Sequence, residues 1–430
     1  MIPEGDLLEI CKVPKALDSQ PSSFDIFLPP MPSLLFINRV YPPDSGATGR
    51  VLEHVARGFR DAGWEVTVLV TAGERSSPGS VSQDGVKVVS VASPFSKKSL
   101  LARALGYVLM IPSLGWKALL MPRADVVVTM TDPPMLLVIG PFLKIFKGSR
   151  LIHWAQDLYP EVAEEAGVFR RGGAVATVVR WISTMAMRFH DGTVAVGRCM
   201  AERLVARGIP TERIRVIPNT GMEREIIPRT DRGRSFRDRH ALGDAFVVMY
   251  SGNMGRAHEF GTVLEAARDL QPGGVRDVLF LFVGSGPGEA LLRGEVDRMG
   301  LSNVRFLPPQ STASLSESLG AADLHLVTMR EGMSGLVVPS KFYGVLAAER
   351  PCLYIGPADS EVALVIGSEG VGRVIRCGDA KGMQAAIMEY RDSPSLLTEQ
   401  GSKGRRILSD PDAVALFVEC ADSLIERSQS

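Results

Sequence analysis

Lys341 follows Pro339-Ser340 at the start of Phe342-Tyr343-Gly344-Val345-Leu346-Ala347-Ala348, whose apolar spacing predicts a packed helix beginning just after the proline. Backbone N–H groups at such a start, with a lysine open to a cleft in the first turn, make a site for phosphate. An ordinary structural helix start reads the same way. Two other segments offer related chemistry. Ser251-Gly252-Asn253-Met254-Gly255-Arg256 follows the strand-like run 246–250, and Gly284-Ser285-Gly286-Pro287-Gly288 follows the run 279–283. In doubly wound sheets such loops lie at the carboxyl ends of strands, where ligands bind. One glycine-rich turn says little; two of them, with the Lys341 helix start third in order, are much more specific.

Metal chemistry is not expected. Asp410-Pro411-Asp412 has D-x-D form, but it opens the last helix, where Asp then Pro is the ordinary N-cap and N1 pair. None of the six histidines falls in a ligand spacing, and no cofactor is implied. The five cysteines are scattered without C-x-x-C spacing, which fits a reducing compartment better than a disulfide framework or a zinc site.

The elements that must position these residues form two alternating units. At 430 residues, 45% apolar and 22% charged, the chain is long enough for two folded domains. Lys+Arg and Asp+Glu balance at 48 each, so no whole-protein field points to nucleic acid. Residues 1–31 read as a loose tail without the apolar core of a signal peptide. The run 34–38, the loop 40–49 and a helix with Val51, Leu52, Val55, Ala56 and Phe59 apolar lead to a second strand, 65–70, completing a Rossmann-type unit. Small residues Gly46, Ala47 and Thr48 in that loop let another molecule approach, or simply make a tight turn. Strand signals at 86–91, 126–129, 151–154, 192–196 and 214–218 predict a parallel sheet covered on both faces. The arginine-rich segment 219–245 reads as a linker, and a second alternating unit begins at Phe246.

From about Leu34 onward the chain resembles GT-B glycosyltransferases of family 4, in the WbuB-like branch of bacterial polysaccharide enzymes. The strings carrying the resemblance are 41–49, Trp154-Ala155-Gln156-Asp157-Leu158-Tyr159-Pro160-Glu161, Ile217-Pro218-Asn219, 250–256, 283–288, Ala321-Ala322-Asp323 and 338–351. The resemblance implies an α/β chain with two Rossmann-like doubly wound domains facing across a cleft. It divides the chain into the tail 1–31, an acceptor-side domain 32–222, a nucleotide-sugar domain 223–405, and a helix 406–430 packing back on the first domain.

It also implies transfer of a sugar, with retention and without a metal, from a nucleotide diphosphate donor, UDP by family habit, to a polyprenyl-diphosphate-linked or glycan acceptor. Charge develops on the departing phosphate, so fixed cations and N–H donors are needed there, and Arg256 and Lys341 are the candidates. Ser340 and the loop residues Gly252, Asn253, Gly255, Gly284, Ser285 and Gly286 would line the donor. Asp157 is the candidate acceptor orienter or base, with a structural carboxylate capping the next helix as the rival reading, and His153 lies on the same side with the cleft loop Gly46 to Thr48. One departure stands out: many members carry a glutamate for the ribose where this chain has Gly344, and Glu331 is a poor substitute.

Three stretches suggest a membrane surface independently of the resemblance. Residues 85–124 carry Lys87, Lys97, Lys98, Arg103, Lys117 and Arg123 and no acid; 134–146 is apolar except Lys144; 167–190 carries Arg170, Arg171, Arg180 and Arg188 and no acid. None has the roughly 20 apolar residues needed to span a bilayer. The expectation is a peripheral protein on the inner, anionic face of the bacterial plasma membrane, with Leu105, Val108, Leu109 and Trp116 dipping into the interface. Buried core helices would explain the apolar parts but not the missing acids. Readings of other classes are a nucleotide-sugar epimerase of the same fold, a catalytically impaired partner protein, and a Rossmann oxidoreductase. The last lacks G-x-G-x-x-G after its first strand.

Overall fold

The computed structural model describes residues 31–44, 46–93, 100–221, 223, 226–228, 230–271, 277–408 and 412–429. The tail up to residue 30, Lys97, Lys98 and the pair Asp410-Pro411 lie outside them. The first half holds β1 Ser33–Ile37, β2 Glu65–Thr71, β3 Gly79–Gln83, β4 Val86–Val91, β5 Val126–Thr129, β6 Arg150–Ala155, β7 Gly192–Ala195 and β8 Ile214–Val216. These form one eight-stranded sheet in the order β3-β4-β2-β1-β5-β6-β7-β8, parallel except for β3. Buried residues on both faces explain the near-continuous Val/Ile/Leu runs.

The second half holds β9 Phe246–Ser251, β10 Val278–Val283, β11 Val304–Leu307, β12 Leu324–Thr328, β13 Cys352–Ile355 and β14 Gly372–Ile375. Their order is β11-β10-β9-β12-β13-β14, all parallel, so strand order reverses between β9 and β12. In the first sheet the reversal falls between β1 and β5. Loops leaving neighbouring strands at such a point diverge and open a crevice. The glycine loop after β9 and the segment after β12 that ends at Lys341 both leave from this crevice.

The helix Ala413–Gln429 returns to the first sheet. Phe417 packs edge-on to Trp154 at 5.0 Å and to Phe59 at 5.6 Å between ring centroids, closing the larger core. The segment read as a linker is not featureless. It contains the helix Thr230–Arg239, whose buried Phe236 joins a small cluster with Val247 and Leu281, and Arg237 pairs with Asp323 beside β12. Its polar composition hid three buried apolar anchors, Ile226, Phe236 and Leu242.

The two halves also touch directly. Asp157 forms an isolated antiparallel bridge with Val337, and Leu158 N–H donates to the Leu336 carbonyl at 3.0 Å. The Glu361 carboxylate accepts from the Arg198 and Cys199 N–H groups at the start of the helix Arg198–Ala206.

Candidate active site

The loop after β9 is stitched to both neighbouring loops. Gly252 N–H donates to the Val283 carbonyl and Met254 N–H to the Ser285 carbonyl, each at 2.9 Å, while Arg330 N–H after β12 donates to the Ala257 carbonyl at 2.8 Å. Gly252 and Gly284 have φ of 144° and 140°, which side-chain-bearing residues avoid, and a Cβ on Gly284 would stand 2.1 Å from the Gly252 carbonyl oxygen. The two glycine loops therefore lie backbone on backbone. Asn253 is exposed at their tip, with its side chain beside Gly255 and Gly286, and Ser285 is exposed next to it.

Lys341 begins the helix Lys341–Ala347 but does not stand open to the cleft, contrary to the sequence expectation. Its ammonium folds back under the β9 loop, 4.0 Å from the centroid of the Tyr250 ring, and donates to the Tyr250 hydroxyl and to His258 Nε2, the latter at 3.3 Å. The Tyr250 hydroxyl in turn donates a hydrogen bond to the Asn253 carbonyl at 2.6 Å. His258 Nδ1–H donates to the Thr328 carbonyl at 2.8 Å, which leaves Nε2 as a lone pair facing the lysine.

Burial, then the Lys341 charge, hold the imidazole neutral with a pKa near 3, and burial depresses the Lys341 ammonium well below its usual range. Among the described residues no carboxylate forms an ion pair with Lys341. A half-buried cation held only by neutral acceptors is stabilised by an arriving anion. Phe342 and Tyr343 N–H groups donate to the Pro339 and Ser340 carbonyls, so these two close the turn on itself and do not face a ligand. The lysine side chain, and not these N–H groups, is the candidate anion ligand here. Arg256, two residues before His258, is exposed, and its guanidinium has no ion-pair partner among the described residues.

Gly344 lies within the same helix, where an added Cβ would meet Ile226 at 3.6 Å and Leu319 at 3.8 Å. The position at which the resemblance implies a ribose-binding glutamate thus faces two aliphatic chains. Glu331 is exposed on the β12 loop.

Across the cleft, Asp157 is half-buried and its backbone pairs with Val337, four residues before Lys341. Burial first, and Asp132 second, push its carboxyl up to about 6. It does not cap the following helix, Glu161–Glu165, whose N-cap is Pro160 with no side-chain bond. The neighbouring Gln156 and Asn219, from two of the motif strings, form a buried reciprocal amide pair.

His153 corrects the sequence reading. It is 1% exposed, with Nδ1 3.1 Å from the Thr129 carbonyl, so it sits in the sheet interior beside His190 and not at the cleft surface. Gly46 is likewise the N-cap of the helix Ala47–Asp61, and Ala47 and Thr48 form its first turn where a loop was expected. A Cβ at Gly46 would stand 2.7 Å from a Val40 methyl, so the glycine serves close packing.

Sequence reasoning missed Tyr250 and His258 as site residues. The one available signal was their position within or two residues beyond the string ending at Arg256. Among the described residues no group of three or more His, Cys, Asp or Glu side chains gathers as a metal site, and Asp412 accepts from the Val414 N–H at 3.0 Å near the start of the last helix.

Comparisons with known proteins bear on the fold and the enzyme class. A family model described as a glycosyl transferase 4-like domain matches residues 46–220. A Pseudomonas aeruginosa protein described as a probable glycosyltransferase, WbjE, is 27% identical over 312 residues, covering 71% of this chain and 76% of that protein. The Escherichia coli (strain K12) WcaI, described as a colanic acid biosynthesis glycosyl transferase, is 26% identical over 250 residues, covering 57% of this chain and 60% of that protein. Among solved structures, Anabaena Alr3699/HepE in complex with UDP-glucose superposes with a TM-score of 0.69 at 15% identity over 91% of this chain and 99% of that one. WaaG, a glycosyltransferase involved in lipopolysaccharide biosynthesis, does so with 0.64 at 17% identity over 90% and 98%. With a glycosyl transferase 4-like domain matched over residues 46–220, glycosyltransferase relatives and the GT-B fold throughout, the chain is a glycosyltransferase of GT-B fold.

Proposed function

We propose that this enzyme transfers a sugar, with retention, from a UDP-sugar held at the β9–β12 crevice to a polyprenyl-diphosphate-linked or glycan acceptor in cell-surface polysaccharide synthesis, as in the WbuB-like branch. The observation that carries the donor reading is the Lys341 ammonium, held by Tyr250 and His258 with no carboxylate among the described residues to neutralise it. As the bond between the sugar C1 and the diphosphate oxygen breaks, the charge left on that oxygen falls to Lys341 and Arg256. The acceptor hydroxyl forms the new bond to C1 and gives its proton to Asp157, whose raised pKa of about 6 suits exchange near neutral pH. The UDP complexes of the HepE relative and the polysaccharide pathways that WcaI and WaaG are named for support the donor and the acceptor class. A peripheral position on the inner membrane leaflet agrees with the absence, among the described residues, of a helix long and apolar enough to cross a bilayer.

Incubating the protein with UDP-sugars and a polyprenyl-diphosphate glycan, with and without excess EDTA, tests this reading. UDP release, a product of unchanged anomeric configuration and activity that survives chelation are expected. Conversion of the donor to an isomer without acceptor would replace transfer by epimerisation, and no UDP binding would remove the donor site altogether.

A further inference from the structure

Three helices of the first domain are apolar on two sides. In Leu100–Leu120, Met110, Leu114 and Ala118 enter the core while Leu109, Trp116 and Leu120 point to solvent. In Gly140–Lys147, Leu143 is buried and Phe142, Ile145 and Phe146 are exposed. In Ala174–Phe189, Ala176, Ala186 and Met187 are buried and Val175, Val178, Trp181 and Phe189 are exposed. A helix at a water-facing surface carries one such stripe and a polar opposite face. These helices pack side by side, and all five exposed large aromatic side chains of the described residues lie on them, at 50–69% exposure.

Charge selects the occupant. The three helices carry six cations and no acid, which suits an anionic surface and not a typical protein partner. Yet Lys144 pairs with Asp191 at 2.7 Å, Lys147 donates to the Met121 carbonyl at 2.6 Å, and Arg180 pairs with Glu161 at 2.9 Å. Half of the cations are thus engaged internally, while the aromatic side chains are not.

Resting on the membrane-acceptor reading above, we infer that these outward stripes form one lipid-inserting face that holds the enzyme on an anionic bilayer mainly by apolar insertion, with charge as the weaker contribution. The placement fits the reaction. The helix Ala174–Phe189 begins three residues after Arg171, which pairs with Glu165, and Glu165 Oε2 lies 2.3 Å from where a Cβ on Gly332 of the β12 loop would stand. One end of the face therefore reaches the donor cleft, so an acceptor whose hydrocarbon rests in the bilayer presents its head group there.

Trp116 and Trp181 are exposed while Trp64 and Trp154 are buried, which makes tryptophan emission a direct readout. With vesicles of phosphatidylglycerol and phosphatidylethanolamine, emission should shift to the blue and be quenched by brominated acyl chains. The exposed substitutions Phe142→Ser, Ile145→Ser and Phe146→Ser together should lower vesicle partitioning about tenfold or more, against about threefold for raising salt to roughly 0.5 M. UDP binding by calorimetry should stay unchanged in that variant. The inference is overturned if the triple variant partitions like the parent, or if the parent ignores vesicles and sediments as a dimer that the same substitutions dissociate. Loss of UDP binding with vesicle binding intact would instead count against the donor reading.

Discussion

The donor crevice of the second domain and the three-helix face of the first treat exposure in opposite ways. In the crevice the buried candidate charge, Lys341, is folded under a loop, and the surrounding backbone is so close that only glycine fits at residue 284. On the helical face, Phe146 and Trp181 stand 69% and 65% exposed. A phosphate is small, rigid and charged, so binding it well requires donors already fixed in place and partly desolvated before it arrives. A bilayer is broad and fluid, and what matters is apolar area left available. The same chain therefore concentrates rigidity at one end of the cleft and uncovered apolar surface at the other.

The sharpest way to break the comparison is Lys341→Met. It removes the ammonium that Tyr250 and His258 hold while retaining a side chain of similar length. Transfer measured as kcat/KM should fall by about 10²–10³, the usual loss when one fixed donor to a developing oxyanion is removed. Thermal stability should hold or rise, because a half-buried ammonium held only by neutral acceptors costs stability when no ligand is bound. A melting temperature that falls together with activity would make Lys341 a structural residue.

The next effect is smaller and tests rigidity. Gly284→Ala places a Cβ 2.1 Å from the Gly252 carbonyl at a φ of 140°, so the two glycine loops must part. Denaturant unfolding should show a loss of at least about 2 kcal/mol, with weaker UDP binding. Gly294→Ala is the control. It lies inside the helix Glu289–Met299, its Cβ would meet nothing, and it should gain about 0.5–1 kcal/mol. Similar behaviour of the two variants would mean that the crevice is not rigid.

How much of this was legible in the sequence depends on whether the signal was local. The two alternating units, the glycine loops and Lys341 could be read because strand, turn and helix signals sit within a few residues of one another. The edge strand β3 was missed. Its five residues, Gly79-Ser80-Val81-Ser82-Gln83, are mostly polar, and the only hint was Asp84-Gly85, whose positive φ values of 48° and 75° make the hairpin turn. His258 was missed for a different reason. Its role exists only because β12 brings Thr328 and the following helix beneath the β9 loop, a contact across some 70 residues of chain. His153 misled because its place in a motif-bearing strand is the same whether its ring faces the cleft or the interior. The acid-free stretches were visible, but that Lys144 and Arg180 would be engaged by Asp191 and Glu161 was not.

Asp157 gives the smallest effect and joins the two regions, since its backbone bridges to Val337 while its carboxyl feels the charge of Asp132. Its folded pKa of about 6 lies above the roughly 3.9 expected in an unfolded chain. Below about pH 4 the group is protonated in both states and costs nothing. As pH rises toward and through 6, the unfolded chain gives up its proton more readily, so folding loses stability, and the full penalty is reached above 6. The distance between those two pKa values sets an upper bound of about 3 kcal/mol, and partial solvent access should leave about 1–2 kcal/mol. Asn cannot ionise, so Asp157→Asn should be more stable than the parent by that amount at about pH 7.5, with the gain falling to roughly half by about pH 5. The buried neutral His153, His190, His258 and His325 act with the opposite sign, since their depressed pKa values remove stability as pH falls below about 6.5. They do so equally in both proteins, so the difference in unfolding free energy isolates the carboxyl. Transfer should drop in the same variant because the amide cannot accept the acceptor's proton. A gain that is independent of pH, or full transfer activity in Asp157→Asn, would leave Asp157 as a packing residue and shift the acceptor chemistry to another group in the cleft.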